Sequence, residues 1–146
     1  MHIKLLASYN NKIQLPTLKT VISTTTGISS EICFAFEKKY NIPVSQAYGI
    51  IEIGLPIINL KRSKEFPEAV GYPLPAYDIG IFDSSMNLLP EEQIGLLGIK
   101  GPGMFDGYLT PPTLKDETLK NGWFITGDYA VKNKDGLIII KGREKN

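Results

Sequence analysis

The step Asp135-Gly136, set in the polar tetrapeptide Asn133-Lys134-Asp135-Gly136 between two apolar runs, restricts this chain more than any other feature. Gly and Asp tolerate the positive φ that a tight reversal requires, so the pattern predicts a β-hairpin. Its first strand is expected over 123–126, ending at Gly127-Asp128, and its second over 137–141, leading into Gly142-Arg143. Residues that flank a hairpin turn pair across the ladder, which brings Asp128 and Arg143 together, each beside a glycine that permits close approach. An acid and a guanidinium at one rim can grip a polyol or a phosphate ester. Spacing alone is also what a surface acid and base flanking a hairpin would show, and on spacing that plainer reading is favoured.

Upstream, Thr20-Val21-Ile22-Ser23 reads as a short β-branched strand. Ser29 is the expected N-cap of a helix with Glu31 in its first turn, an apolar stripe Ile32, Phe36, Tyr40, basic Lys38 and Lys39 in its last turn, and Asn41 as its stop. A second strand is expected over 43–48. Strand, helix, strand is a βαβ unit, with a parallel pair and a ligand crevice at the carboxyl ends of its strands. Between Gly54 and Tyr77 four prolines (Pro56, Pro67, Pro73, Pro75) punctuate the segment, and Lys61-Arg62-Ser63-Lys64-Glu65 reads as an exposed loop. Strands are then expected over 78–82 and 95–100, with a short helix over 116–119. The fold class is α/β plus β: a partial βαβ unit over 1–66, then a small antiparallel β-sheet or barrel over 67–146.

With 146 residues the chain can bury a core, and with 16 basic against 15 acidic side chains its net charge of +1 exerts no pull on nucleic acid or an anionic membrane. Cys33 is the only cysteine and His2 the only histidine, which excludes an intramolecular disulfide and a His-based metal cluster. No run has transmembrane length and the first residues carry no signal-peptide pattern, so the expected location is cytoplasmic. No G-x-x-x-x-G-K phosphate loop is present.

The run Gly122-Trp123-Phe124-Ile125-Thr126-Gly127-Asp128, followed after the hairpin by Gly142-Arg143-Glu144-Lys145-Asn146, resembles two signature motifs of the adenylate-forming enzymes, the superfamily of acyl-CoA synthetases, nonribosomal peptide adenylation domains and luciferases. Gln46-Ala47-Tyr48-Gly49-Ile50-Ile51-Glu52 is similar to that family's Q-G-Y-G-x-T-E motif. Passages at Ala69 to Pro75, Gly95 to Pro102 and Phe105 to Leu109 resemble others. Ser23 to Ile28 lies where the family has a Ser-Gly-Gly-Ala-Pro-Leu-like turn, with three threonines in place of the small residues and Gly27 in place of proline.

The resemblance implies roles. Asp128 would hold the ribose hydroxyls of ATP or AMP and Arg143 would contact the same nucleotide. Tyr48 would lie against adenine, a role that suits an aromatic face, while Gly49 allows close approach, and Thr26 and Gly27 line the adenine. Glu52 would hold Mg²⁺, a hard cation that takes carboxylate oxygen, and serve catalysis through it. Ile51 replaces the threonine that approaches the phosphate and cannot donate a hydrogen bond. Ala47 in place of glycine narrows the acyl pocket. Lys145 matches the hinge between the large domain and a C-terminal lid.

The implied reaction is ATP-dependent carboxylic acid:CoA ligation through an acyl-adenylate, with a small-molecule carboxylic acid, ATP and coenzyme A as partners and a lean towards fatty acids. Family members run to several hundred residues, so the chain reads as a fragment, inactive alone, whose missing partners are the N-terminal subdomains and the lid. Two other readings stand beside this one: a degenerate homologue used as a binding or interaction module, and an unrelated small β-rich protein with accidental matches.

Overall fold

Helix α1 (His2–Ser8) and strand β1 (Val21–Ser23) lead into α2 (Ser30–Tyr40), and β2 (Val44–Ile50) returns parallel to β1, with Val21 opposite Val44 and Ser23 opposite Gln46. The structure is a computed structural model that describes residues 2–10, 13–24 and 26–144. The expected βαβ unit is therefore present. Asn41 ends α2 in the left-handed region (φ 59°), its N–H bonded to the Glu37 carbonyl. Ser29 has the extended backbone of a cap residue, but its side chain makes no capping bond. The buried stripe is Cys33, Phe36 and Tyr40, not Ile32, Phe36 and Tyr40. A strict four-residue spacing drifts by about 40° per step around a helix of 3.6 residues per turn, so Ile32 falls off the face that α2 buries.

Strand β3 (Gly54–Ile58) runs antiparallel to β2, and the two-residue β4 (Tyr72–Pro73) pairs with its other edge. A proline inside a strand removes a ladder donor. Pro56 is accommodated because the β2–β3 register shifts between Tyr48 and Ile50, where its missing N–H breaks no ladder bond, while its carbonyl accepts the Leu74 N–H at 2.8 Å. The segment expected to be an exposed loop is partly built in: Ser63 is buried, and Arg62 pairs with Glu65 at 2.7 Å.

β5 (Asp78–Phe82) and β6 (Ile94–Lys100) follow the expected spans closely. β7 (Gly107–Leu109) and β8 (Pro112–Leu114) form a separate hairpin that the sequence reading did not foresee. Helix α3 (Lys115–Thr118) and β9 (Leu119–Lys120) then lead to β10 (Trp123–Lys132) and β11 (Ile138–Arg143). The second sheet has the order β11-β10-β6-β5, with β9 on the start of β10. It is an antiparallel sheet whose outer strands β5 and β11 do not pair, so it is not a closed barrel. β10 does not stop at Asp128: it runs four residues further, through a register shift against β6 between Ile125 and Tyr129.

The tail hairpin closes on Asn133, whose side-chain oxygen accepts the N–H of Asp135 and of Leu137, while Gly136 takes φ +81°. The main core lies between the sheets, with Ile53 and Ile57 packed on Val70, Ile81, Leu97, Ile99, Ala130 and Ile138. A second cluster, Cys33, Phe36, Tyr40 and Val44, sits under α1 and α2. Among the described residues no helix is long and apolar enough to cross a membrane.

Candidate functional site

A cleft of about 560 Å³ opens at the carboxyl ends of β1 and β2 and is closed on its far side by β10 and β11. Thr26 and Gly27 line it from the β1–α2 loop, Tyr48 and Gly49 from the end of β2, and Asp128 and Arg143 from the second sheet. These six residues, dispersed over more than a hundred positions of sequence, share one concave surface. Glu52 lies in an adjoining cavity of about 200 Å³ with Tyr108, Thr126 and Glu144, and Ile50 and Arg143 line both. Ile51 lines neither: it projects from the β2–β3 turn with 99 % of its surface exposed. Thr25 and Lys145 lie outside the described residues.

The alternation of β10 explains why Asp128 is inside. Phe124, Thr126, Asp128 and Ala130 fall on the covered face, and Asp128 is 8 % exposed. A buried carboxylate needs partners. Tyr48 donates its hydroxyl to Asp128 Oδ2, a hydrogen bond that joins the first sheet to the second. The Asp128 N–H donates to Thr126 Oγ1 at 3.1 Å, and that hydroxyl donates to the Leu97 carbonyl at 3.1 Å. Arg143, opposite Asp128 in the β10–β11 register, approaches Oδ1 only to 3.9 Å and keeps its guanidinium largely in solvent. At that distance and exposure the ion pair is weak, and the guanidinium is available to a ligand. Burial, reinforced by the bond to Asp128, pushes the Tyr48 phenol well above its ordinary range; Thr126 and the Arg143 charge oppose that shift.

Gln46 opens the motif that carries Tyr48, but sequence assigned it no role. It is 3 % exposed, and its side-chain amide clamps the backbone of Ile28 by accepting from its N–H and donating to its carbonyl, both at 2.9 Å. Its Nε2 also donates to the Pro67 carbonyl. This clamp sets the path of the loop that carries Thr26 and Gly27. A glutamine two residues before the strand-end Tyr48 was the available signal, since a polar side chain inside an otherwise apolar strand must find partners. Tyr108 was also missed: its hydroxyl donates to Glu52 Oε1 at 2.8 Å, while the Phe105 N–H holds the Glu52 carbonyl at 2.8 Å. Partial burial and the Glu52 bond raise the Tyr108 phenol.

The cleft thus combines an acid held by a phenol, a solvent-exposed guanidinium, exposed backbone at a strand–helix turn and an adjoining carboxylate. That set suits a ligand with hydroxyls and a phosphate. The family described as AMP-binding enzyme matches residues 1–109, and the chain belongs to this adenylate-forming family. It is 32 % identical over 132 residues to the human mitochondrial acyl-coenzyme A synthetase ACSM3, covering 87 % of this chain and 22 % of that protein. To a long-chain-fatty-acid–CoA ligase of Escherichia coli it is 34 % identical over 102 residues, 69 % of this chain and 18 % of the ligase. ATP-bound MatB from Rhodopseudomonas palustris has the same fold over 89 % of this chain and 28 % of its own, with a TM-score of 0.77 at 29 % identity. The chain spans about a fifth of the length of these curated relatives.

Proposed function

We propose that this chain supplies the nucleoside-holding part of an ATP-dependent carboxylic acid:CoA ligase working in the cytoplasm. In that reaction a carboxylate attacks the α-phosphate of ATP and pyrophosphate leaves. The thiol of coenzyme A then attacks the acyl carbon, and AMP departs as the thioester forms. Tyr48, Gly49, Thr26 and Gly27 would line the adenine, Asp128 would accept from the ribose, and Arg143 would offer charge to the same nucleotide. What supports the reading is the convergence of these six positions on one cleft with Asp128 buried at its floor. Residues 1–66 would then be the end of an α/β subdomain and 67–146 a β-rich third subdomain reaching a hinge at Lys145.

The residues present fit a Mg²⁺ ion carried in with the nucleotide. Among the described residues no three His, Cys, Asp or Glu side chains cluster, and Glu52 bonds Tyr108 through Oε1 alone. One carboxylate beside a phosphate site is the usual protein contribution for an ion that keeps waters and substrate oxygens. Glu52 would hold it, and the ion would neutralise charge on the phosphates.

Because the chain spans so little of its relatives' length, it is expected to bind nucleotide without turning it over. Calorimetry with AMP and ATP, with and without Mg²⁺, tests the proposal: weak binding to the native chain, reduced about tenfold or more in Asp128→Ala, is expected. Binding untouched by that substitution would sink it. Ile51 favours a second reading, a degenerate homologue that binds nucleotide as an interaction module, since no hydroxyl stands at that exposed turn. Pyrophosphate release with ATP and any carboxylic acid would exclude it, and would equally overturn the expectation that the chain does not turn over.

A further inference from the structure

Glu52 is held twice by one short stretch of chain. The Phe105 N–H bonds its carbonyl, and the Tyr108 hydroxyl donates to its Oε1, both at 2.8 Å. That stretch is itself anchored: the Phe105 ring meets Tyr108 edge-on at 4.7 Å between centroids and Phe124 at 5.9 Å, and Phe124 is buried in β10. Tyr108 lies in β7, in the hairpin that belongs to neither main sheet. Without its hydroxyl, the Glu52 carboxylate would leave the same turn as the exposed Ile51 with its rotamers free. Among the described residues no Lys or Arg pairs with Glu52, and its Oε2 accepts no hydrogen bond.

We infer that Tyr108 is a positioning residue for the cation carried in with the nucleotide: its hydroxyl fixes the Glu52 carboxylate in the small cavity and leaves Oε2, with the second lone pair of Oε1, for Mg²⁺. The inference rests on the nucleoside reading above and gives a role to the β7–β8 hairpin, which that reading does not use. A carboxylate already oriented by a hydrogen bond has less freedom to lose when the ion arrives, and such partners are typically worth about 10–100-fold in metal affinity. A phenol suits the task, since it donates to the carboxylate without bringing a positive charge that would repel the ion.

Calorimetry of the full chain tests it, with AMP in metal-free buffer and with ATP in the presence and absence of Mg²⁺. The native chain is expected to bind ATP more tightly with Mg²⁺. Tyr108→Phe keeps the ring on Phe105 and removes only the hydroxyl; it is expected to bind ATP with Mg²⁺ about tenfold or more weakly than the native chain. Its affinity for metal-free AMP should stay within about twofold of native. Glu52→Gln should lose the Mg²⁺ gain as well, and Tyr108→Phe added to it should remove nothing further. A full Mg²⁺ gain in Tyr108→Phe, an equal loss with metal-free AMP, or a further loss in the double variant would overturn the inference. So would a native affinity for ATP that Mg²⁺ leaves unchanged, a comparison that needs no variant to fold. Failure of the nucleoside reading looks different: neither nucleotide binds, or both bind Asp128→Ala as tightly as the native chain, and the role of Tyr108 falls with it.

Discussion

Tyr48 and Asp128 carry the tension between burial and charge in this site. A phenol whose folded pKa lies above its ordinary value, near 10, is stabilised in its neutral form by folding. Its contribution to stability is complete below that ordinary value. It is lost as pH rises from there towards the elevated folded value, because the unfolded state gives up the proton first. Urea midpoints measured from pH 8 to 11 should therefore fall more steeply above about pH 10 in the native chain than in Tyr48→Phe. Every other side chain is shared by the two proteins and drops out of the comparison. Equal slopes would mean that the Tyr48 phenol is not held neutral by the fold.

The β2–β3 connection shows how an element positions a site. A Cβ on Gly49 would meet the Gly54 carbonyl oxygen at 2.5 Å and Leu55 at 2.9 Å, so the strand end can close on its neighbour only without a side chain. That closure produces the register shift between Tyr48 and Ile50, which turns Tyr48 to the cleft while the chain proceeds to Glu52 in the next cavity. Gly49→Ala should lower stability by about 1–3 kcal/mol, read by urea unfolding, because backbone on both sides must shift. An unchanged midpoint would refute the steric role and leave ligand approach as the reason for glycine here.

The two sheets do not fold around separate cores. Ile57 of β3 is fully buried against residues of β5, β6, β10 and β11, and the Val70 N–H bonds the Ile138 carbonyl across the same junction. Ile57→Ala should lower stability by about 2–5 kcal/mol. Unfolding followed by Trp123 fluorescence, in the second sheet, should coincide with unfolding followed by the far-ultraviolet signal of α2, in the first layer. Two separated transitions would show that the layers are independent and that the cleft is a seam between units.

The elements legible in sequence were those decided by local chemistry. The βαβ order follows from β-branched runs, a charged helix end and Asn41, and the tail hairpin from Asn133 to Gly136. The pairing of Asp128 with Arg143 follows from hairpin register alone. Alternation along Phe124, Thr126, Asp128 and Ala130 already contained the burial of Asp128, although the strand was read as ending too soon. β3 was hidden because Pro56 argues against a strand until a register shift on its neighbour absorbs it. The bond from Tyr48 to Asp128 spans eighty positions and two sheets. No local pattern encodes such a contact, because it exists only once burial between the sheets brings a phenol and a carboxylate together in a place where each must find a partner.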